Sequence, residues 1–533
     1  SHCSRDAIAM GLESLQLETS LHWIDWAIIG LYLIGTMAIG FYVKRFIADM
    51  SDYVVAGRAL QSNVGIATMI GTELGLVTVM YSAQKGFTGG FAAFHIGLTA
   101  AIVCFLVGVT GFIVVPLRRM GVMTIPEYYE KRFGRGVRIF GGAILAASGI
   151  LNMGMFLRAG SLFVMGMTGM SSAYYLKLIM TVLLGLVLLY TILGGMVSIV
   201  ITDYVQFVVL SFGLLVACGL AVNHLGWNHI VTTLSKTEGV GFNPFTTEGF
   251  GKAYVAWMFF LGLVNCALWQ TAVIRACSAA SVKVVKKLYV WSSLGFMIRV
   301  LIPAFLGACA VVYITERPDL APHFLPPGEA SSDMGLSAMP IFLSQIVPVG
   351  LAGIITAGLL AAFMSTHDSY LLCWSSVLTQ DVIAPLCRLF DIELPTKARL
   401  FIARLLIFLI GIFLLIWGLW YPLGQDMWDY MAITGSIYFT GAFSLLFLGI
   451  YWRGASRVGA YLGLCSGFLG ILGLKPVQNM VGTDLDSPEV GLATVGLAVV
   501  SMVVGSLVFP DRTSREKAER EAATESENEP EEE

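Results

Sequence analysis

Two apolar stretches of the sequence contain oxygen-bearing groups at spacings that could bind a cation. In the first stretch, Gly71-Thr72-Glu73-Leu74-Gly75 places an acid between two glycines in the middle of an apolar run. Glycine destabilises a helix interior by about 1 kcal/mol relative to alanine, so we expect an interrupted helix whose carbonyls bind an ion or a substrate. The alternative is a glycine-lined helix contact in which Glu73 pairs with a basic residue.

The second stretch, residues 358–369, carries hydroxyl groups along one helical face. The i, i+3 and i+4 spacing aligns Ala362, Ser365, Thr366 and Ser369. Oxygen ligands of this kind suit a hard cation such as Na⁺. The alternatives are hydroxyls that bond back to the preceding turn and a pair between His367 and Asp368 at the membrane edge.

A third cluster spans residues 190–206 and has a glycine pair at its centre. We expect Gly194 and Gly195 to form a tight turn between two helices, with Asp203 about two turns into the second helix. A carboxylate inside an apolar segment needs a positive partner or a bound ion. Asp203 is therefore a further candidate cation ligand.

The rest of the sequence predicts that these clusters lie in a membrane. The chain has 533 residues, of which 57% are hydrophobic and 13% charged, with a mean hydropathy of +0.79. Apolar runs of about 20 residues span a bilayer as helices. We therefore expect an all-α polytopic membrane protein with about thirteen spans, near residues 24–44, 62–83, 88–116, 138–168, 175–195, 197–223, 252–276, 288–315, 346–380, 397–421, 425–451, 455–474 and 488–509.

Charge and motif content limit the class of function. Lys and Arg concentrate in alternate loops, which predicts that the N-terminus lies outside and the acidic C-terminal tail in the cytoplasm. The membrane that we expect is the plasma membrane. The sequence has no phosphate-binding loop, no HExxH motif and no basic nucleic-acid face. We expect no enzymatic activity. The expected partners are the lipid bilayer and a small-molecule substrate, with no nucleic acid and no obligatory protein partner.

Several motifs make the chain resemble the sodium/solute symporter family. Residues 190–206 read Tyr-Thr-x-x-Gly-Gly-x-x-x-x-x-x-Thr-Asp-x-x-Gln, which is similar to the signature hairpin of that family. Residues 52–58, 124–128 and 131–134 match further family motifs, and residues 358–369 resemble its ion-binding helix. The resemblance extends over about residues 24–475.

The resemblance implies a LeuT-type fold built from two inverted five-helix repeats. Together with the composition and the charge pattern, the resemblance divides the chain into an extracellular N-terminal segment (1–23), a leading helix and cytoplasmic loop (24–61), the first repeat (62–223), an extracellular loop (224–251), the second repeat (252–451), two trailing helices (452–509) and an acidic disordered cytoplasmic tail (510–533).

The resemblance also implies a sodium site between the broken first core helix and the eighth core helix. Its ligands would be the carbonyls of Gly71, Leu74 and Ala362 and the hydroxyls of Ser365 and Thr366. Some members of the family hold a second sodium. The matching positions for it are Ser365, Asp203, Asp368 and Ser369.

Substrate contacts, carried over from the family, come from core helices near the midplane of the membrane. The matching positions here are Thr72, Glu73, Thr78, Gln84, Asn265, Trp269 and Gln270, and less directly Trp428 and Tyr430. Val77-Thr78 and Glu73 depart from the pattern of the sugar carriers, which disfavours a galactose-like site. Proline carriers are among the members with an acid at the Glu73 position.

The resemblance therefore implies a sodium-coupled symporter that imports a small polar organic solute by alternating access. The solute would be an amino acid such as proline, a sugar or an organic acid, and Na⁺ would be the coupling ion. The alternatives are an uncoupled or proton-coupled facilitator and a membrane solute sensor on the same scaffold.

Overall fold

The computed structural model describes residues 21–43, 61–237, 239–247, 249–325, 332–421, 425–483 and 485–511. The motif at 52–58, the segment 1–20 and the tail from residue 512 onwards lie outside the described residues. The same holds for the side chains of Thr72 and Asp203, two of the predicted site residues.

The regular elements of the described chain are helices, as the sequence predicted. In chain order they are α1 (Trp23–Val43), α2 (Ser62–Glu73), α3 (Leu76–Gly89), α4 (Phe94–Thr110), α5 (Val114–Arg119), α6 (Ile125–Phe133), α7 (Arg135–Asn152), α8 (Phe156–Thr168), α9 (Ala173–Leu225), α10 (Trp227–Leu234), α11 (Lys252–Leu268), α12 (Gln270–Ser278), α13 (Val282–Thr315), α14 (Ala321–Phe324), α15 (Ser332–Ile346), α16 (Leu351–Val377), α17 (Ala384–Cys387), α18 (Thr396–Trp420), α19 (Met427–Tyr451), α20 (Arg457–Gly467), α21 (Lys475–Val481) and α22 (Ser487–Val508).

Many of these helices are long and apolar enough to cross a bilayer. In the described chain eight helical runs meet that condition, and two bent helix pairs raise the number to ten. The predicted count of thirteen is thus not confirmed. In the most apolar 18-residue stretch of the run Leu351–Phe390, 89% of the residues are buried, and this run forms the centre of the bundle. The corresponding share in Thr396–Trp420 is 28%, and this helix presents apolar side chains outward. Apolar exposure of that extent is typical of a surface that faces lipid.

The predicted turn at the glycine pair is wrong. Helix α9 runs without interruption from Ala173 to Leu225, through Gly194 and Gly195. Glycine permits a turn but does not force one, and its cost of about 1 kcal/mol in a helix is readily outweighed by packing. Helix α9 packs extensively against α16, and this packing favours the continuous helix.

Each of the two predicted repeats begins with a broken helix. Helix α2 ends at Glu73 and α3 begins at Leu76, which confirms the predicted interruption. Helices α11 and α12 meet at Trp269 with a bend of 41°, a break that the sequence did not predict. Broken helices at corresponding places of two halves are the usual setting of a transporter binding site.

The N-terminus of α16 is fixed by an acid from the leading helix. Asp25 is fully buried, and its Oδ1 accepts hydrogen bonds of 2.7 Å from the amides of Gly350 and Gly353. A carboxylate at this end satisfies amides that lack helical partners and complements the helix dipole. Asp25 therefore anchors the helix that carries the predicted cation ligands.

Helices α3 and α13 cross at small residues. A Cβ on Gly86 would lie 1.9 Å from the carbonyl oxygen of Ala304, and a Cβ on Gly307 would lie 1.9 Å from that of Ala83. Small residues at such crossings let helices in membranes approach closely. This crossing fixes α13, which carries Arg299, beside the break in the first core helix.

Candidate cation and substrate site

The break between α2 and α3 is in direct contact with α16. Gly75 has extended backbone angles (φ −84°, ψ 166°), and a Cβ on it would lie 1.9 Å from Oγ1 of Thr366. Because a helix end leaves its last carbonyls without helical partners, oxygens of Gly71 and its neighbours become available at the same place. The structure therefore brings together the two sequence clusters that were predicted to share a cation.

The α16 side of this contact is buried and rich in oxygen. Ala362 and Ser365 are each 1% exposed, and the Thr366 hydroxyl donates to the carbonyl of Ala362 at 2.9 Å. That bond to the preceding turn is the alternative role weighed for the hydroxyls in the sequence. A hydroxyl that donates a hydrogen bond can also act as an acceptor, so this bond alone does not prevent the Thr366 oxygen from binding a cation.

Two residues of the signature motif bind α16 directly. The amide of Gln206 donates to the carbonyl of Ala361 at 2.5 Å. Thr191 donates to Oδ1 of Asp368 and to the carbonyl of Val187. The motif thus holds the predicted ion-binding helix by its backbone and by its acid.

The predicted second sodium position already has a positive neighbour. Arg275 of α12 is 3% exposed, and its Nη2 donates to Oγ of Ser369 at 3.2 Å. Its Nη1 donates to the carbonyl of Thr271 at 2.9 Å. A guanidinium at hydrogen-bond distance from a proposed ligand repels a second cation there. Ser369 therefore fits an arginine contact better than a sodium site.

A cavity adjoins the helix break. It has an empty volume of about 840 Å³, part of which is open to solvent. Thr366 lines both the break and the cavity. Much of the remaining wall is aromatic or apolar, including Tyr81, Phe156, Met258, Leu261, Trp269, Tyr370, Trp428 and Phe439.

Glu73 lies in the cavity wall and forms an ion pair. Its Oε2 accepts from Nη1 of Arg299 in α13, and the two side chains are 12% and 3% exposed. The carbonyl of Glu73 accepts from the Thr78 hydroxyl at 2.7 Å. The sequence alternative of a basic partner for Glu73 is therefore realised, together with the break.

The structure divides the predicted substrate contacts into two groups. Thr78, Asn265, Trp269 and Trp428 line the cavity with Glu73. Others do not line it and have other partners. The side-chain oxygens of Gln84 and Gln270 accept from the amides of Met427 and Ile125, each at 3.0 Å, and the Tyr430 hydroxyl donates to the carbonyl of Leu151. This geometry therefore does not support their predicted contact with substrate. The side-chain oxygens of the two glutamines and the tyrosine hydroxyl instead bond to the backbone of neighbouring segments.

Four polar residues of the cavity wall were not predicted from the sequence, namely Tyr81, Asn152, Arg299 and Tyr370. Arg299 could have been found, because an arginine deep inside an apolar span is by itself a sign of function. Tyr370 accepts from Nε1 of Trp269 at 3.0 Å and so holds the residue at the second break. Neither Asn152 nor Tyr370 carries a comparable signal in the sequence.

An ion-pair network lies one helical turn beyond the cavity on α3. The ammonium group of Lys85 is 2.8 Å from a carboxylate oxygen of Asp426 and 2.8 Å from one of Asp429. The Tyr254 hydroxyl donates to Asp429 at 3.1 Å. The network joins α3, α11 and α19, two of which belong to the broken core helices.

A second network joins the loop helix α6 to the far end of the α16 segment. Arg138 pairs with Asp381, in the π-helical turn Leu378–Ile383, and with Glu130 of α6. The hydroxyl of Thr124 donates to Asp381 at 2.9 Å. Burial alone would raise the pKa of the Glu130 carboxyl, but its bond to Arg138 and the charges of Arg138 and Arg135 hold that pKa below its ordinary value.

Comparison with known proteins agrees with this architecture. The chain is 26% identical over 498 residues to the human sodium/myo-inositol cotransporter, covering 85% of this chain and 67% of that protein. It is 24% identical over 479 residues to the sodium/sialic acid symporter of Proteus mirabilis, covering 87% and 91%. A solved structure of a substrate-bound, outward-open Na⁺-coupled sialic acid symporter superposes with a TM-score of 0.76 at 21% identity, covering 92% and 99%.

The fold is thus of the LeuT type. The model of the sodium:solute symporter family matches residues 53–467, which is most of the chain. Na⁺ is the coupling ion of that family. The protein belongs to the sodium:solute symporter family.

Proposed function

We propose that the protein imports a small polar organic solute by symport with Na⁺ and alternating access. The ion binds where the break between α2 and α3 meets α16, with the carbonyls of Gly71, Leu74 and Ala362 and the hydroxyls of Ser365 and Thr366 as ligands. The solute binds in the adjoining cavity.

One observation carries this proposal, namely that Thr366 lies against the backbone of Gly75 and also lines the cavity. An ion at that contact ties α16 to the broken helix and forms part of the wall that the solute meets. Each ligand then raises the affinity for the other, which is the thermodynamic requirement for coupling. A facilitator without coupling would have no need for a hydroxyl in the helix break.

The proposal includes an arrangement in the membrane. The two predicted repeats, 62–223 and 252–451, each begin with a broken helix, which supports an inverted-repeat core. We place the N-terminus outside the cell and the acidic tail in the cytoplasm of a plasma-membrane protein, on the basis of the positive charge in alternate loops. No obligatory protein partner and no enzymatic step form part of the proposal.

The test is the thermal stability of the purified protein in Na⁺ and in K⁺. An ion that binds only the folded state stabilises it, by about 2.7 kcal/mol at a concentration of 100 times its Kd. We expect Na⁺ to raise Tm in the wild type and not in Ser365→Ala. The control is Thr181→Ala. The Thr181 hydroxyl lies on the exposed face of α9 and donates to the carbonyl of Lys177, so Na⁺ should raise Tm in this variant as much as in the wild type. Equal behaviour in Na⁺ and K⁺ for all three proteins would remove the support for the cation site.

A further inference from the structure

We propose that the cavity selects a zwitterionic amino acid with an apolar side chain, held by its carboxylate on Arg299 and by its ammonium group on Glu73 and Asn152. This inference rests on the proposed function and names its substrate class. It is drawn from unsatisfied donors and acceptors in the cavity wall.

Arg299 uses only part of its guanidinium group. Both of its hydrogen bonds, to the carboxylate and to the carbonyl of Glu73, are donated by Nη1. Its Nε is buried and has no hydrogen-bond partner among the described residues. Nε and one terminal nitrogen form an edge with two parallel N–H groups, which matches the two oxygens of a carboxylate. A solute with a carboxylate therefore fits this residue.

The cavity wall also contains hydrogen-bond acceptors without a donor among the described residues. The Nδ2 of Asn152 donates to the carbonyl of Met431 at 2.7 Å and to Oγ1 of Thr434 at 3.1 Å, which fixes the orientation of the amide. The Oδ1 of Asn152 is then buried without a partner in the described chain. Among the described residues, the Glu73 side chain accepts a hydrogen bond through Oε2 only, which leaves Oε1 as an acceptor. These acceptors fit an ammonium group.

Net charge favours a zwitterion over a simple ion. Glu73 and Arg299 form a nearly buried pair with no net charge. An anion on Arg299 would also face the Glu73 carboxylate, and an amine cation on Glu73 would face the guanidinium. Both repulsions are stronger between nearly buried groups than between groups in water. A zwitterion brings both charges and leaves the charge of the cavity unchanged.

Much of the remaining wall favours an apolar body over a polyol. Met258, Leu261, Phe156 and Phe439 offer no strong donor or acceptor, and the hydroxyls of Thr78 and Tyr81 already donate to groups of the protein. A polyol carries hydroxyls around its whole ring, and each hydroxyl buried against such a wall without a partner costs free energy. An apolar side chain buries its surface against the same wall and is stabilised by doing so.

The decisive experiment measures binding to the wild-type protein in saturating Na⁺ by calorimetry. The twenty proteinogenic L-amino acids are tested together with myo-inositol, glucose and sialic acid. The tightest amino acid is then compared with its methyl ester, which lacks the carboxylate, and with its deaminated acid. We expect neutral apolar amino acids to bind, and each single-charge analogue to bind about 100-fold more weakly, as for other lost buried charge pairs.

A variant checks that Arg299 is the carboxylate contact. Arg299→Lys keeps a positive charge beside Glu73 but loses the forked edge, so we expect amino-acid binding to weaken at least about tenfold while Na⁺ still raises Tm. The matched control is Arg317→Lys in the loop between α13 and α14, where Arg317 packs over the ring of Tyr313. It should bind like the wild type. Should Arg299→Lys fail to fold, the analogue series on the wild type decides alone.

The outcomes separate this inference from the function on which it rests. Binding of a polyol or of a deaminated acid as tight as that of any amino acid overturns the substrate class, as does failure of all twenty amino acids in a protein that Na⁺ stabilises. If amino acids bind equally well in Na⁺ and K⁺, the substrate class stands and the proposed coupling falls.

Discussion

The hydroxyl of Thr366 occupies the space in which a side chain on Gly75 would begin, with only 1.9 Å between its oxygen and the position of a Cβ. Gly75 does not need glycine for its backbone angles, since φ is −84°. Glycine is required at this position because Thr366 leaves no room for a Cβ atom. The contact joins the first broken helix to α16 at the proposed cation site.

We therefore predict that Gly75→Ala pushes Thr366 out of the helix break. Overpacking of this kind typically costs about 1–3 kcal/mol, and Na⁺ should no longer raise Tm. The control is Gly219→Ala in α9, where a Cβ would meet nothing within 4 Å. That variant should be as stable as the wild type or slightly more so. A full Na⁺ response in Gly75→Ala would show that the contact is not part of the ion site.

We predict that a single Na⁺ drives each cycle. Because Arg275 donates to Ser369, the second position already holds a positive charge. Na⁺ activation of uptake should follow a Hill coefficient of about one. Ser369→Ala should leave the Na⁺ affinity close to that of the wild type, while Ser365→Ala lowers it. A Hill coefficient near two, or an equal loss of Na⁺ affinity in Ser369→Ala and Ser365→Ala, would contradict this prediction and indicate a second Na⁺ site.

The Lys85 network gives a prediction about stability. Lys85→Met leaves the carboxylates of Asp426 and Asp429 close together without their cation. For fully buried pairs such a loss costs about 3–5 kcal/mol, and we expect a smaller cost here because the two carboxylates are 22% and 25% exposed. Thermal unfolding should show a loss of stability in Lys85→Met. The triple variant Lys85→Met, Asp426→Asn, Asp429→Asn should recover much of this stability. Lys252→Met, at the exposed start of α11, serves as the control and should change little. A stable Lys85→Met protein would argue against a structural role for the network.

Glu130 gives a prediction about pH. Its folded pKa lies below its ordinary value, because Arg138 outweighs the effect of burial. A lowered pKa contributes stability above the unfolded value, near 4.5, and this contribution is lost as pH falls through the folded pKa. Glu130→Gln should therefore flatten the fall in Tm below pH 4.5, whereas Glu393→Gln, at an exposed position, should not. Identical acid profiles for Glu130→Gln and the wild type would refute this role.

The sequence predicted those parts of the site that depend on local pattern. The interruption at residues 71–75 follows from two glycines beside an acid, and the α16 face follows from helical spacing. Glycine alone is a weak guide, however. Gly194 and Gly195 lie within one continuous helix, while the break at Trp269 has no glycine or proline beside it.

The parts that were missed depend on contacts between distant segments. Trp269 is held at its break by Tyr370, about a hundred residues away, and packs edge-on against Trp374. The partner of Glu73 is Arg299, which lies in a different predicted repeat. Tertiary contacts of this kind override local propensity and leave no periodic signal in a single sequence.

The most direct test of the account is uptake of a labelled solute into proteoliposomes under an inward Na⁺ gradient, compared with an equal K⁺ gradient. The labelled solute is the compound that, when added in the presence of Na⁺, raises Tm above the value in Na⁺ alone. We predict accumulation above the external concentration with Na⁺ only, and loss of this accumulation in Ser365→Ala. Equal uptake in Na⁺ and K⁺ that stops at the external concentration would contradict sodium-coupled symport and indicate a facilitator.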